Sequence, residues 1–409
     1  MREMKDSGNV WYGKIPYAWE LNKIKYLTTI RSESAIYNPE EDKYIGLENV
    51  NGYSDNVVET DTEYDYSMQS ICKKDDILFS KLRPYLAKVF IAKHNSFCTG
   101  EFIVFSSFNG DRRYLFYSIL NPKFIENINS STYGAKMPRA NPQYIFDQQI
   151  CLPPLDEQQR IAEFLDRECE KIDGLKENIQ SQIDTLEQYK RSVITEAVTH
   201  GLNPSVPMKD SGISWVGEIP ECWKVGRIGG LYELRNQKVS DKDFMPLSVT
   251  MKGILPQLET AAKTNDGDNR KLVRVGDFAI NSRSDRRGSC GISDYDGSVS
   301  LINTILKPRN RMNAKYYNWL FHTPMFADEF YKWGHGIVDD LWTTNWSEMK
   351  RISIPLPPLD EQQEIADYLD SKCSEIEQII ADKKSQIETL DSYKKSLIYE
   401  YVTGKKEVV

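Results

Sequence analysis

Histidine is scarce in this chain. Four residues (His94, His200, His322 and His335) are spread over 409 positions, too few and too far apart for a metal site or a catalytic triad. The seven cysteines are odd in number and include no C-x-x-C pair, which argues against a disulfide framework and a zinc ribbon. They are expected to be reduced and buried, with Cys169 and Cys373 packing at equivalent points of a repeat. No stretch approaches about 18 apolar residues and the first residues hold no apolar signal core, so membrane spanning and secretion have no support and the expected location is the cytoplasm. The G-x-x-x-x-G-K-S/T phosphate loop, G-x-G-x-x-G, H-E-x-x-H and G-x-S-x-G are all missing. No catalytic residue, metal or cofactor of its own is therefore expected in the chain.

What the chain does have is repetition. The stretch Leu152-Pro153-Pro154-Leu155-Asp156-Glu157-Gln158-Gln159 opens a proline-free run to Gly201, and a second copy opens at Leu356. Residues 152–201 and 356–405 align without a gap, 204 positions apart, and are identical at 26 of 50 positions. Leu165, Ile172, Ile179, Leu186 and Val193 recur every seven residues, with Leu175, Ile183, Tyr189 and Ala197 at the alternate seam positions, the pattern of a long helix packed on another helix. The prolines end an extended segment, Asp156 is placed to cap the helix, and Glu157 adds negative charge where the helix dipole favours it. At 1.5 Å per residue a helix over residues 155–199 would be about 65–70 Å long, too long to bury its apolar face alone, and the simplest partner of each copy is the other. The second copy keeps Leu369, Ile376, Leu390 and Leu397 but carries Lys383 where the first has Ile179, which weakens one turn of the seam.

The opening segments repeat at the same offset: Met4 to Gly8 returns as Met208 to Gly212, and Trp11, Gly13, Ile15, Pro16 and Trp19 return as Trp215, Gly217, Ile219, Pro220 and Trp223. The interiors have diverged. The first predicts strands at residues 76–80 and 102–105 and a helix near 113–120; the second predicts strands at 276–280 and 299–306 and a helix over 316–330 broken near Pro324. Residues 201–207 read as a linker. The resulting division is 1–150 and 204–352 as two mixed α/β domains, with 151–203 and 353–409 as two long helices.

Charge is distributed unevenly over these parts. The net −8 comes from the helices, since residues 151–203 and 355–409 carry −5 each and the rest sums to +2. Within the interiors, residues 81–139 and 270–315 carry +6 each, as two phosphate-binding surfaces would require. Lys81, Arg83, Tyr85, Lys88, Lys136 and Arg139 fall on loops near strand ends in the first half, and Arg283, Arg286, Arg287 and His335 fall in comparable places in the second. Arginine and lysine can contact phosphates or guanine edges, so these ten residues are the candidate DNA contacts. Asn121-Pro122-Lys123-Phe124 and Asn141-Pro142-Gln143-Tyr144 resemble the Asn-Pro-Pro-aromatic motif of amino-methyltransferases, but lack its second proline and any glycine-rich nucleotide turn, so a plain turn is the expectation there.

The W-x-G-x-I-P-x-x-W opening, the Asp-apolar strand starts at Asp76 and Asp277, and the I-x-L-P-P-L-x-E-Q-x-x-I-A helix start, each present twice, resemble a specificity subunit of a type I DNA restriction-modification system over the whole chain. The resemblance implies an α+β fold: two target-recognition domains held apart by two long antiparallel coiled-coil helices with pseudo-twofold symmetry. It further implies a bipartite, asymmetric double-stranded DNA target read in the major groove, with a spacer set by helix length. Two modification (methyltransferase) subunits would dock on the helices, here through Leu155, Gln158, Gln159, Leu359, Gln362 and Gln363, and restriction subunits would join for cleavage. S-adenosylmethionine, ATP and magnesium chemistry would belong to those partners. Asp75 stands where the second half has Gly276 at the strand start, a departure at the matching position. Two alternatives make different demands: a standalone DNA-modifying enzyme would bind S-adenosylmethionine by itself, and a coiled-coil adaptor would show no salt-sensitive DNA binding.

Overall fold

A computed structural model describes residues 2–55, 57–58, 66–134, 136–257, 267–309, 312–336 and 342–408. The chain divides into two units, Met1–Gln180 with Lys384–Val409, and Ser181–Lys383. Each unit therefore contains one α/β interior, the start of the long helix that follows it, and the end of the other long helix.

In the first unit a hairpin of Met4–Asp6 and Lys14–Pro16 leads to the fully buried Trp19. The next strand, Glu20–Lys23, pairs antiparallel with Gln149–Leu152, the strand that runs into the first long helix. The two repeated sequence blocks, far apart in the chain, are thus hydrogen-bonded neighbours. Between them lie a sheet ordered Thr28–Ile30, Phe102–Phe108, Ile77–Ser80, Val89–Ile91 and a second sheet built on Met68–Cys72 and Ser96–Cys98. Ile77 and Phe79 face one core with Phe105, Tyr114 and Phe124, while Leu78 faces another with Phe90, Val104 and Cys72. Burial on both faces explains why this strand is a continuous apolar run and not an alternating one. The strand begins at Ile77 because Asp76 is engaged in the preceding turn, where its carboxylate accepts from the Lys73 amide (2.8 Å) and from Arg31 Nε (2.7 Å). Asp75 holds φ of +69°, the left-handed conformation that Gly276 adopts at +85°, so the turn survives the substitution.

The second unit repeats this plan. Met208–Ile213 pairs with Gly217–Pro220, Lys224–Arg227 pairs with Ser353–Leu356, and the central sheet runs Tyr232–Leu234, Asn303–Pro308, Phe278–Asn281, Cys290–Ile292. The single strand expected over 299–306 is two strands in different sheets, Gly297–Val299 and Asn303–Pro308, because Asn303 closes a turn through its amide and side chain onto the Ser300 carbonyl (both 3.1 Å). The helix expected over 316–330 is two, Ala314–Phe321 and Pro324–Lys332, with Thr323 capping the second and Pro324 at its first turn.

The long helices are Leu155–His200 and Leu359–Val402. No helix among the described residues is long and apolar enough to cross a membrane. In the first unit the pairing is antiparallel: Phe164 stacks near Tyr401 (4.4 Å between ring centroids), Asp173 meets Lys394 (2.6 Å) and Lys176 meets Asp391 (2.5 Å). In the second, Lys190 meets Glu377 and Lys383 reaches Gln182 Oε1 (2.5 Å), again antiparallel. Lys383 thus fills its turn of the seam with a polar contact. Leu165, Ile172, Ile183, Val193 and Ala197 are buried as expected, but Leu175 and Tyr189 are exposed. A straight helix drifts relative to a seven-residue repeat, which carries some heptad positions onto the flank. Asp156 is not the cap: the helix starts one residue before it, and Asp156 pairs with Arg160 (3.3 Å) on the surface. All seven cysteines are free thiols; Cys169 and Cys373 are buried, whereas Cys222 is exposed.

Candidate nucleic-acid interface

The loop that follows strand Ile77–Ser80 and the loop that ends at Ala140 meet through two backbone hydrogen bonds, and three more tie them to Glu101 and close the second loop on itself. Lys81 donates to Glu101 (2.9 Å), Arg83 to Pro138 (2.8 Å) and Ala140 to Lys81 (2.9 Å), while Tyr133 and Arg139 exchange a pair (3.2 and 3.0 Å). In the second unit Ser282 donates to Ile302 (3.4 Å), Ser284 to Trp342 (2.9 Å) and Thr344 to Ser282 (3.0 Å), while His335 and Thr343 exchange a pair (3.2 and 3.0 Å). The two loop clusters therefore share one backbone frame although their side chains differ throughout.

On the first frame Tyr85, Lys136 and Arg139 are exposed, beside exposed Tyr133 and Met137. Ala135, in the same run, lies outside the described residues. Arg83 and Ala87 hold φ of +49° and +48°, a conformation non-glycine residues rarely keep unless the surroundings enforce it, and such strain gathers at functional loops. In the second unit Gly288 takes the position of Ala87, at φ of +74°. Lys81 leans on the Gly100 carbonyl (2.6 Å). Lys88 does not face outward as expected. It is half-buried and donates to the Leu47 carbonyl (2.6 Å), so it braces the loop. On the second frame Arg286, Arg287 and His335 are exposed; Arg283 pairs with Asp285 (3.2 Å), and Arg287 pairs with Asp328 while lying over the Tyr331 ring (5.7 Å).

A third wall escaped the sequence reading. A Cβ on Gly52 would fall 2.0 Å from the Leu86 carbonyl oxygen, Tyr53 donates to Ala87 (3.1 Å), and Asp55 accepts from the Ile91 amide (2.8 Å). This strap is tied to the long helix through Arg113, which bridges Asp55 (2.5 Å) and Asp166, while Tyr117 also donates to Asp166 (2.7 Å). A cavity of about 430 Å³ lies under it, lined by Tyr53, Arg113, Tyr117, Asp166 and Lys394 among others. In the second unit the hairpin Leu247–Thr250 and Gly253–Pro256 takes the strap's place, with Gly253 against Gly291. The signal in the sequence was Asn51-Gly52 and Lys252-Gly253, turn glycines 201 residues apart, the same offset that relates Lys81 to Ser282.

The helix starts divide into inward and outward side chains. Trp19 donates to Glu157 (2.9 Å) and Trp223 to Glu361 (2.8 Å). Gln158 is 4% exposed, donates to Pro153 (2.8 Å) and accepts from the Asp111 amide (3.0 Å); Gln362 is 5% exposed, donates to Pro357 (2.9 Å) and accepts from the Asn313 amide (2.8 Å). Both glutamines are consumed inside their units, so they leave the set of candidate docking residues. Leu155 and Leu359 remain exposed, as do Gln159 and Gln363, the latter bonded to Asn313 and Asp367.

The Asn-Pro sequences are helix caps. Asn121 and Asn141 accept from the amides of Lys123 (3.0 Å) and Gln143 (2.9 Å), with Pro122 and Pro142 at the first helical positions. Their side chains are committed to the backbone and form no base-holding pocket.

Paired basic loops at strand ends, held by one frame and dressed differently, have the chemistry of a nucleic-acid-reading protein. The chain belongs to the type I restriction modification DNA specificity domain family, whose model matches residues 19–185 and 220–389. It thus carries that domain twice, and its function is recognition of a DNA sequence as a specificity subunit working with other subunits of such a system. It is 25% identical over 405 residues to the putative type I restriction enzyme MjaX specificity subunit of Methanocaldococcus jannaschii, covering 90% of this chain and 91% of that one. The MjaVIII specificity subunit of the same organism is 33% identical over 129 residues, 31% of this chain and 28% of the relative. Among solved structures, a chain from work on complex assembly and conformational transition of the type I R-M system matches with a TM-score of 0.69 at 16% identity, covering 96% of this chain and 99% of that one. The HsdS subunit from Thermoanaerobacter tengcongensis matches at 0.52 and 17%, covering 96% and 98%. These likenesses show the same fold.

Proposed function

We propose that the chain reads a bipartite, asymmetric target on double-stranded DNA, one half-site per recognition domain (residues 1–150 and 204–352), without catalysing a reaction itself. The observation that carries this reading is the shared backbone frame with diverged side chains: Lys81, Glu101, Pro138, Arg139 and Ala140 in one domain answer to Ser282, Ile302, Trp342, Thr343 and Thr344 in the other. One frame used twice gives one docking geometry, and two side-chain sets give two half-sites. The helices of residues 151–203 and 353–409 present the same surface twice, which suits two modification subunits docking around exposed Leu155, Gln159, Leu359 and Gln363. Restriction subunits join them for cleavage, S-adenosylmethionine, ATP and magnesium are bound by these partners, and the assembly works in the cytoplasm.

Exchange of residues 208–352 into a relative of known target tests the reading by methylation-sensitive sequencing. One half-site should transfer and the other stay unchanged; a chimera that altered both half-sites, or neither, would contradict the two-reader scheme.

A further inference from the structure

Residues 81–139 carry nine basic and three acidic side chains, and one of the acids, Glu101, stands in the middle of the first loop cluster. Its backbone carbonyl accepts from Lys81, and its side chain, 27% exposed, takes Arg139 Nη2 on Oε1 at 2.5 Å. The other oxygen, Oε2, is buried and receives no hydrogen bond from the described residues, so accepting capacity of the carboxylate is left over. Arg139 keeps the rest of its donor fork, with its side chain 45% exposed.

The backbone frame fixes the counterparts of these two residues. The carbonyl that accepts from Ser282 belongs to Ile302, and the residue that exchanges a hydrogen-bond pair with His335 is Thr343. Ile302 and Thr343 are both partly exposed. An acid and a base in one half are therefore replaced together, by an alkyl group and a methyl-bearing hydroxyl in the other. Solitary phosphate contacts need no such joint replacement, because a phosphate asks only for a cation. Major-groove edges do ask for matched chemistry: guanine offers two acceptors to an arginine fork, cytosine offers an amino donor to a carboxylate, and thymine offers a methyl group to an apolar side chain.

We propose that Glu101 and Arg139 read one G·C pair in the first half-site as a single element, Arg139 donating to the guanine edge and Glu101 accepting from the cytosine amino group, and that Ile302 and Thr343 fill the same place in the second half-site as an apolar reader of a thymine methyl. A carboxylate oxygen accepts at two lone pairs, so Oε1 of the part-exposed Glu101 side chain can take the cytosine amino group beside the Arg139 donor. This rests on the reading that the chain recognises DNA through these loops.

The test is selection from a randomised duplex library with the full-length chain at two salt concentrations. The double variant Glu101→Ile with Arg139→Thr leaves the net charge unchanged, so overall affinity for random DNA and its salt dependence should hold. The preference at one position of one half-site should pass from G·C to A·T, a change in base-pair ratio of about tenfold to a hundredfold. The reciprocal variant, Ile302→Glu with Thr343→Arg, should bring a G·C preference into the other half-site. Arg139→Met, which keeps the length of the side chain without any donor, should lose the preference while the motif of the untouched half-site persists and reports an intact fold. A uniform loss on all sequences for Arg139→Ala, with the salt slope lowered by about one, would make Arg139 a phosphate contact and overturn the pair while leaving the two-reader scheme standing. Retention of the G·C preference by Arg139→Met would also overturn it. No enriched motif from the unaltered chain would overturn both readings.

Discussion

The two halves use the same anchors in unlike surroundings. Trp19 and Trp223 are both fully buried and both donate to the second acidic residue of a long helix. Tyr114 donates to the Val402 carbonyl in one unit (3.2 Å) and Tyr316 to the Val198 carbonyl in the other (2.8 Å), the two valines standing at equivalent points of the repeated helix. Away from these anchors the halves part. Asp166 holds Arg113 and Tyr117 at the edge of a cavity, with the Arg113 side chain 34% exposed; its counterpart Asp370 holds Lys315 (2.8 Å) and Trp319 (2.9 Å), with the Lys315 side chain 61% exposed. Lys394 is nearly buried against Asp173, whereas Lys190, its equivalent, meets the exposed Glu377. What stayed constant after duplication is the attachment of each domain to the helices, and what drifted is the set of contacts that depends on the local interior.

The largest effects should come from the anchors and be equal in the two halves. Trp19→Ala and Trp223→Ala should each destabilise the unit that holds them by about 3–5 kcal/mol, read as urea unfolding followed by far-ultraviolet circular dichroism. A large inequality would show that the shared anchor does unequal work. Arg113→Ala should cost about 2 kcal/mol, because it removes the cation that Asp166 and Asp55 share and releases the strap beside the candidate loop. Lys315→Ala, made in parallel, should cost less than about 1 kcal/mol, as exposed ion pairs do. Equal losses would erase the contrast between the two halves.

A smaller difference is predicted in pH dependence. Burial pushes the His322 imidazole below its usual range, against the opposing pull of the Asn318 carbonyl (2.7 Å), and Leu120 occupies the corresponding place in the first half. The unfolded chain, with a histidine pKa of about 6.5, binds the proton more readily than the folded one. The stability tied to His322 is therefore present above about pH 6.5 and is lost as pH falls toward the depressed folded value. Thermal melts from pH 7.5 to 5 should show the second unit weakening first, and His322→Leu should remove that difference. The smallest effect concerns Asp75, held at φ of +69° without the freedom of glycine. Asp75→Gly should stabilise the first unit by about 0.5–1 kcal/mol, raising its melting midpoint and bringing its strand-start turn level with that of Gly276.

Much of this molecule was written locally. The duplication, both long helices and the break at Pro324 follow from periodicity and capping chemistry that neighbouring residues carry, because a helix is closed by bonds between residues four apart. The candidate readout loops were legible as basic side chains near strand ends, and the pairing of the helices as two seams needing cover, with its antiparallel sense implied only by the family resemblance. Tertiary structure decided the rest. Gln158 and Gln362 look like surface glutamines in a polar run, yet each faces inward because the first turn of a helix more than 40 residues away presents an unpaired amide to it. The Asn-Pro sequences read as plain turns, and the structure shows that a helix starts on each of them. Lys88 turns from a candidate DNA contact into a brace because the Leu47 carbonyl, 41 residues upstream, accepts from it. Glu101 and Arg139 are 38 residues apart and meet only because strand order lays their loops side by side. Chain neighbours determine which elements form; which side chains face one another across loops depends on sheet order and register, which no window of sequence contains.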